Sequence, residues 1–388
     1  MLLMIIGSVG MYSVIVVLPE LQREFSVARA DASLPYTLTM LGFGVGGVVL
    51  GRLADRRGVA LPLALGGLSL GAGFILASLS DSLWQFSLIQ GVLIGMLGSS
   101  ASFGPLMADT SLWFLKRRGI AVALCASGNY LAGAIWPPVL QSMIEQWGWR
   151  TAYLVVGLIC LVTLMPLSML MRRRAPSTSV VAQSLPAATQ SANRSLGLPG
   201  PVLLGLISIA GIACCIAMAM PQVHIVAYCT DLGFGAARGA QMLSVMLAAG
   251  IISRLVFGLI SDRIGGLRTL FLGSAMQAIA LVLFLPFDGM VSLFVVSALF
   301  GLFQGGIVPA YAIVIREYFP AGVAASRVGV VLAFTLLGMA IGGWMSGWIF
   351  DVTGNYQAAF LNGIAWNLFN LLIVGFLLVL RRRGLHAA

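Results

Sequence analysis

Twelve runs of about twenty residues, rich in Leu, Ile, Val, Ala and Gly and almost without charge, succeed one another along the 388-residue chain. No feature constrains the fold more. A helix rises about 1.5 Å per residue, so about twenty residues match the hydrocarbon thickness of a bilayer. The runs lack the alternation of a barrel strand, and lipid tolerates no open sheet edge, which leaves helices. The spacing predicts spans at 2–19, 33–51, 60–79, 83–107, 119–143, 150–171, 201–228, 236–260, 267–287, 290–315, 325–349 and 357–380. Residues are 60% hydrophobic and 9% charged, against about a quarter charged in soluble domains, so an all-α polytopic membrane protein is expected.

The end of the second run reads Gly51-Arg52-Leu53-Ala54-Asp55-Arg56-Arg57-Gly58, and the end of the eighth reads Gly258-Leu259-Ile260-Ser261-Asp262-Arg263-Ile264-Gly265. The two copies lie 207 residues apart, about half the chain, so the protein reads as two halves of one design. The expected division is a six-helix bundle at 1–171, a linker at 172–199 that opens with Arg172-Arg173-Arg174 and runs through Ser, Thr, Ala, Gln and Pro, and a second six-helix bundle with a short tail at 200–388.

The net charge of +10 sits in short loops, so it reads as a topology signal and not as a nucleic-acid surface. Of the 22 Lys and Arg residues, 17 fall on one side of the spans, four (Arg23, Arg29, Arg150, Arg238) on the other, and Arg254 lies within a span. That bias places both termini and the linker in the cytoplasm of a cell with the protein in its inner membrane. The run beginning at Met1 has no basic stretch before it and is expected to be the first span. Cys125, Cys160, Cys214, Cys215 and Cys229 lack ligand spacing and read as small apolar side chains, with no metal or cofactor expected.

Small residues recur four apart at Gly42/Gly46, Gly91/Gly95/Ser99, Gly128/Ala132, Gly301/Gly305 and Gly338/Gly342, which predicts close helix packing and smooth faces on which one bundle rocks against the other. Pro137-Pro138, Pro221 and Pro309 are expected to interrupt the fifth, seventh and tenth spans.

Arg254 is the charge that the bilayer disfavours most, since an Arg at membrane depth costs at least about 2.5 kcal/mol. Gly250 and Gly258 lie one turn either side of it, and no span carries an acidic residue in its middle to pair with it. A bound anion would supply the missing charge. The alternative is a pairing with Asp262 or with Asp109 near the end of the fourth span. His224 offers a near-neutral imidazole. Tyr36, Asn129, Tyr130, Gln304 and Tyr311 are further polar candidates for a cavity, each also suited to a helix–helix hydrogen bond.

The doubled Asp-Arg loop resembles the signature between helices 2 and 3, and again between helices 8 and 9, of the major facilitator superfamily of secondary transporters. The stretch Pro221-x-x-His224-x-x-x-Tyr228, the run Ser253-Arg254-Leu255-Val256-Phe257-Gly258, Trp147-Gly148-Trp149-Arg150 and Asp351-Val352-Thr353-Gly354-Asn355-Tyr356 resemble the branch of monocarboxylate transporters and oxalate/formate antiporters. In that branch an Arg of helix 8, four residues before the loop glycine, engages the substrate carboxylate, and Arg254 occupies that position. The chain departs from the branch at Gly250, where eukaryotic members carry Asp, and in having no Lys in helix 1 or helix 11.

The expectation is a twelve-helix carrier of a small organic monoanion, with a proton or a counter-anion as coupling partner, acting as a monomer by alternating access. Arg254 would face the substrate, aided by His224, Asn129, Tyr130, Gln304, Tyr36 or Tyr311. Gly51, Asp55, Arg56, Gly58, Gly258, Asp262, Arg263 and Gly265 would gate the cytoplasmic side. Efflux of hydrophobic compounds on the same fold and a non-transporting membrane sensor stand as alternatives. The nucleotide-binding pattern Gly-x-x-x-x-Gly-Lys is absent, and no enzyme activity is expected.

Overall fold

A computed structural model describes residues 1–113, 118–171 and 198–386. The expected linker, apart from 198–199, lies outside the described residues, as do Lys116 and Arg117. Among the described residues there are helices and connecting turns, with no strand.

Among the described residues, eleven helices are long and apolar enough to cross a bilayer. They are α1 (Leu2–Glu24), α2 (Arg29–Arg57), α3 (Ala60–Ser78), α4 (Leu83–Met107), a long fifth helix, α7 (Gly200–Asp231), α8 (Ala236–Ile264), α9 (Gly266–Leu283), α10 (Met290–Tyr318), α11 (Ser326–Thr353) and α12 (Gln357–Arg382). The apolar part of the fifth, Leu124–Leu170, has 47 residues. That makes about 70 Å of helix, over twice the hydrocarbon thickness. Gly148 breaks it at φ 78°, ψ 159°, a conformation open to glycine alone, so it divides into α5 (118–147) and α6 (149–170) and the crossings number twelve.

The two copies of the repeated loop adopt one geometry. Gly58 ends α2 at φ 85°, ψ 166°, and Gly265 ends α8 at φ 84°, ψ 160°. A side chain there would be strained, which explains why the motif closes on glycine in both halves. Asp55, Arg56, Asp262 and Arg263 are exposed. None of them forms an ion pair with a described residue.

The small-residue stripes do their packing inside each half. A methyl added at Gly46 of α2 would fall on the Met96 carbonyl of α4, and one added at Gly301 of α10 would fall on the Met246 carbonyl of α8. Gly338 and Gly342 of α11 abut Ile212 and Ile216 of α7 in the same way. Helices 2 and 4 thus pack as 8 and 10 do, and these stripes are not the rocking surface that the spacing suggested. Glycines between the halves are others: Gly133 against Leu247, Gly343 against Tyr36 and Gly347 against the Arg29 backbone.

Two helices are broken, at matching places. α10 stops at Gln304 and resumes at Ile307, because Pro309 has no N–H to offer and its ring crowds the Gly305 carbonyl. α4 passes through a π-helical stretch, Gln90–Gly98, and a tight 3-10 turn, Ser99–Ser102, before Gly104-Pro105. Pro309 predicts the first break, and the spacing along α4 predicts none for the second. Pro221 and Pro137-Pro138 predict breaks too, and there the helices run on. α7 is gripped by α11 at Gly338 and Gly342, and such packing outweighs one lost backbone bond.

Candidate functional site

Arg254 lies where α1, α5, α8 and α10 meet. α8 brings Gly250 one turn above it, and the absent side chain at Gly250 lets the Tyr130 ring of α5 come against the α8 backbone. The Arg254 guanidinium sits over that ring, 3.8 Å from its centroid, and one Nη donates to the Ala126 carbonyl at 3.3 Å. Its Nε is buried without a hydrogen-bond partner. Arg254 forms no ion pair with any described residue. Asp109 instead accepts from the Trp113 indole at 3.1 Å, and Asp262 is exposed.

Asn129 and Tyr130 are neighbours on α5 and reach two different helices. Asn129 accepts from the Tyr12 hydroxyl of α1 at 3.0 Å and donates to Ser8 Oγ at 3.1 Å. Tyr12 also packs on Gly133. Gln304 stands at the break in α10, between Gly301 and Gly305, which abut α8 at Met246 and Gly250. Both of its amide atoms are buried and unpaired. An unsatisfied amide and an unsatisfied Nε in the interior are costly unless a ligand meets them, and this pair lies along one helix contact.

The other predicted residues have protein partners of their own. His224 Nε2 bonds the Gly343 carbonyl at 2.8 Å, and its Nδ1 lies 3.5 Å from the Tyr356 hydroxyl. Tyr36 packs on the same Gly343. Both therefore belong to a seal between the first six and last six helices. Tyr311 is tied into α12 and α9: its hydroxyl donates to Asn370 at 3.0 Å, and Asn370 donates to Ser274 at 2.7 Å.

The centre of that seal is Arg29, which the sequence reading used only as a topology marker. Its side chain is 8% exposed. It pairs with Asp231 and Tyr356, donates to Gln22 at 3.0 Å, and lies over the Phe350 ring at 4.2 Å. Asp351 accepts from the backbone N–H groups of Arg29 at 2.8 Å and Ala30 at 2.7 Å. Asp231, Asp351 and Tyr356 come from the last six helices, so one arginine clasps the two halves at the end of the molecule poor in basic residues. The sequence offers only a lone Arg on the sparse side and the Asp351 to Tyr356 stretch; the burial and the pairing show only in the structure. Trp149 and Arg150 both bind Glu24, and Arg150 also donates to the Ser78 and Ser80 carbonyls at 2.9 Å. They fasten α1, α3 and α6 within the first half.

Known proteins match this arrangement in sequence and shape. The sequence profile of the Major Facilitator Superfamily matches residues 1–296 and 268–388. Monocarboxylate transporter 13 of Rattus norvegicus is 29% identical over 348 residues, which cover 87% of this chain and 77% of the relative. Monocarboxylate transporter 12 of Mus musculus is 27% identical over 390 residues, with 93% and 79% covered. Among solved structures, a bacterial homologue of the human lysosomal transporter Spinster, inward-facing and occupied, superposes with a TM-score of 0.75 at 14% identity over 98% of this chain and 95% of its own. At that identity the last likeness speaks for the fold alone.

Proposed function

The chain belongs to the major facilitator superfamily of transporters, and from that premise we propose that it carries a small organic anion, a monocarboxylate first of all, by alternating access. The carrying observation is Arg254: a guanidinium within a membrane span, seated on Tyr130, with no carboxylate of the described residues paired to it and with its Nε unpaired. A carboxylate would accept from the fork of the guanidinium in two places at once. Tyr12, Asn129, Tyr130 and Gln304 complete the site in this reading, while Tyr36 and His224 help close the path. The names of the rat and mouse relatives point the same way.

In this reading residues 1–171 and 200–388 form the two moving bundles, and the basic end faces the cytoplasm. The Arg29 seal then stands on the far side, and the present arrangement opens inward. Turnover would break the Arg29 contacts and bring the Asp55-Arg56 and Asp262-Arg263 loops into use. With no carboxylate at the site, the coupling is exchange for a second anion, or symport of a proton.

Uptake of a panel of labelled carboxylates into proteoliposomes, with and without a pH gradient, tests this for the parent, Arg254→Lys and Arg254→Ala. The expected result is loss of monocarboxylate flux in Arg254→Ala and a partial flux in Arg254→Lys, whose point charge lacks the fork. Full carboxylate flux in both variants overturns the reading. Neutral or cationic compounds carried by Arg254→Ala at the parental rate select efflux instead.

A further inference from the structure

At the basic end of the molecule, outside the Arg254 junction, α9 and α12 leave a cavity of about 250 Å³ between them. Its walls are Arg268, Arg381 and Arg382 together with Phe271, Leu378 and Val379. Three guanidiniums line it and, among the described residues, no carboxylate does. Glu317 and Arg381 both flank Gly265, but Glu317 accepts from the Gly266 backbone N–H at 2.7 Å and forms no ion pair with Arg381. One Nη of Arg381 lies beside Gly265 and is buried without a hydrogen-bond partner, as is Oε2 of Glu317 on the same glycine. One neighbouring carboxylate does not offset three guanidiniums, which repel one another until a further anion joins them.

The apolar part of the cavity says what kind of anion. Phe271 is 37% and Val379 49% exposed, and Phe376, further along α12, is 51% exposed. These side chains lie on helices that cross the bilayer, so the cavity continues onto surface that meets acyl chains. Above it the two helices close, with Phe271 against Gly375. Arg381 and Arg382 end the apolar span of α12, at the depth where lipid phosphates lie. A free phosphate would use the guanidiniums and leave the apolar wall bare.

We propose that this cavity binds the phosphate of an anionic phospholipid, with the guanidiniums around the headgroup and the acyl chains along Phe271 and Val379. Arginine suits the task because its planar donor fork fits phosphate oxygens bidentately.

Native mass spectrometry of the full chain, released from detergent containing equal amounts of phosphatidylglycerol and phosphatidylcholine, reads the preference directly. The parent is expected to retain phosphatidylglycerol about tenfold over phosphatidylcholine, and Arg268→Gln/Arg381→Gln/Arg382→Gln to fall to near parity. Arg52→Gln/Arg56→Gln/Arg57→Gln removes as many charges from the same end and should keep the parental preference. Millimolar inorganic phosphate should leave the retained lipid in place. A cavity variant that keeps the preference, a loop variant that loses it equally, or displacement by phosphate alone would each overturn the proposal. Arg268→Gln alone, at an exposed position, covers the case of a triple variant that does not fold: it should lose several-fold of the preference, and an unchanged preference counts against the site.

Discussion

Arg29→Ala should open the seal between the halves, and the structure sets the scale of the effect. The residue is 6% exposed, and its guanidinium meets Asp231, Tyr356, Gln22 and the Phe350 face. Truncating one member of a buried, hydrogen-bonded ion pair costs about 3–5 kcal/mol, most of it from the partner charge left behind. Asp231 is 35% exposed on its side chain, so it recovers hydration, and about 2–3 kcal/mol is the better figure. Only the sealed state makes these contacts, so the ratio of sealed to open molecules should fall by about thirty- to a hundred-and-fifty-fold. Spin labels at Gln146→Cys and Asp288→Cys, exposed positions in opposite halves, report the separation of that end by double electron–electron resonance. The long-distance population should grow in Arg29→Ala. It should stay parental in Arg23→Ala, which loses only an exposed pair with Glu20. Superimposable distance distributions for parent and Arg29→Ala would refute the seal.

Two other substitutions probe the packing and the site. Gly301→Ala would press a methyl into the Met246 carbonyl, lowering stability by about 1–3 kcal/mol and the unfolding temperature in detergent accordingly. Gly205→Ala, whose methyl meets nothing within 4 Å, should not lower it. Tyr130→Phe keeps the ring under Arg254 and should leave KM for the transported anion near the parental value. Tyr130→Leu removes it and should raise KM about two- to thirtyfold, in line with a cation–π contact of about 0.5–2 kcal/mol.

The architecture was legible because lipid allows so few solutions: apolar run length alone delivered the crossings, and both copies of the doubled loop close on a glycine of the same geometry. Gly148 shows how fine that reading is, since a single glycine separates two spans that are otherwise one helix. Proline was a weaker guide. Pro309 breaks α10, whereas Pro221 lies in a helix held straight by α11 at its side. The glycine stripes were read correctly as close contacts but assigned to the wrong surface, because four-residue spacing specifies a smooth face and not the helix that meets it. The proposed site was legible only in part. Arg254 and its neighbours on α5 could be found from polarity inside an apolar run. His224 could be found by the same signal, yet its place in the seal depends on α11, more than a hundred residues away. Arg29 was passed over because a charge near a span end looks like topology until its partners from the other half are seen.

The most direct test of the account is calorimetric titration of a small monocarboxylate into the purified protein. Arg254→Ala and a Tyr130→Phe control should be titrated alongside the parent. The account predicts binding to the parent and to Tyr130→Phe, and none to Arg254→Ala. Binding of equal strength to Arg254→Ala would contradict it.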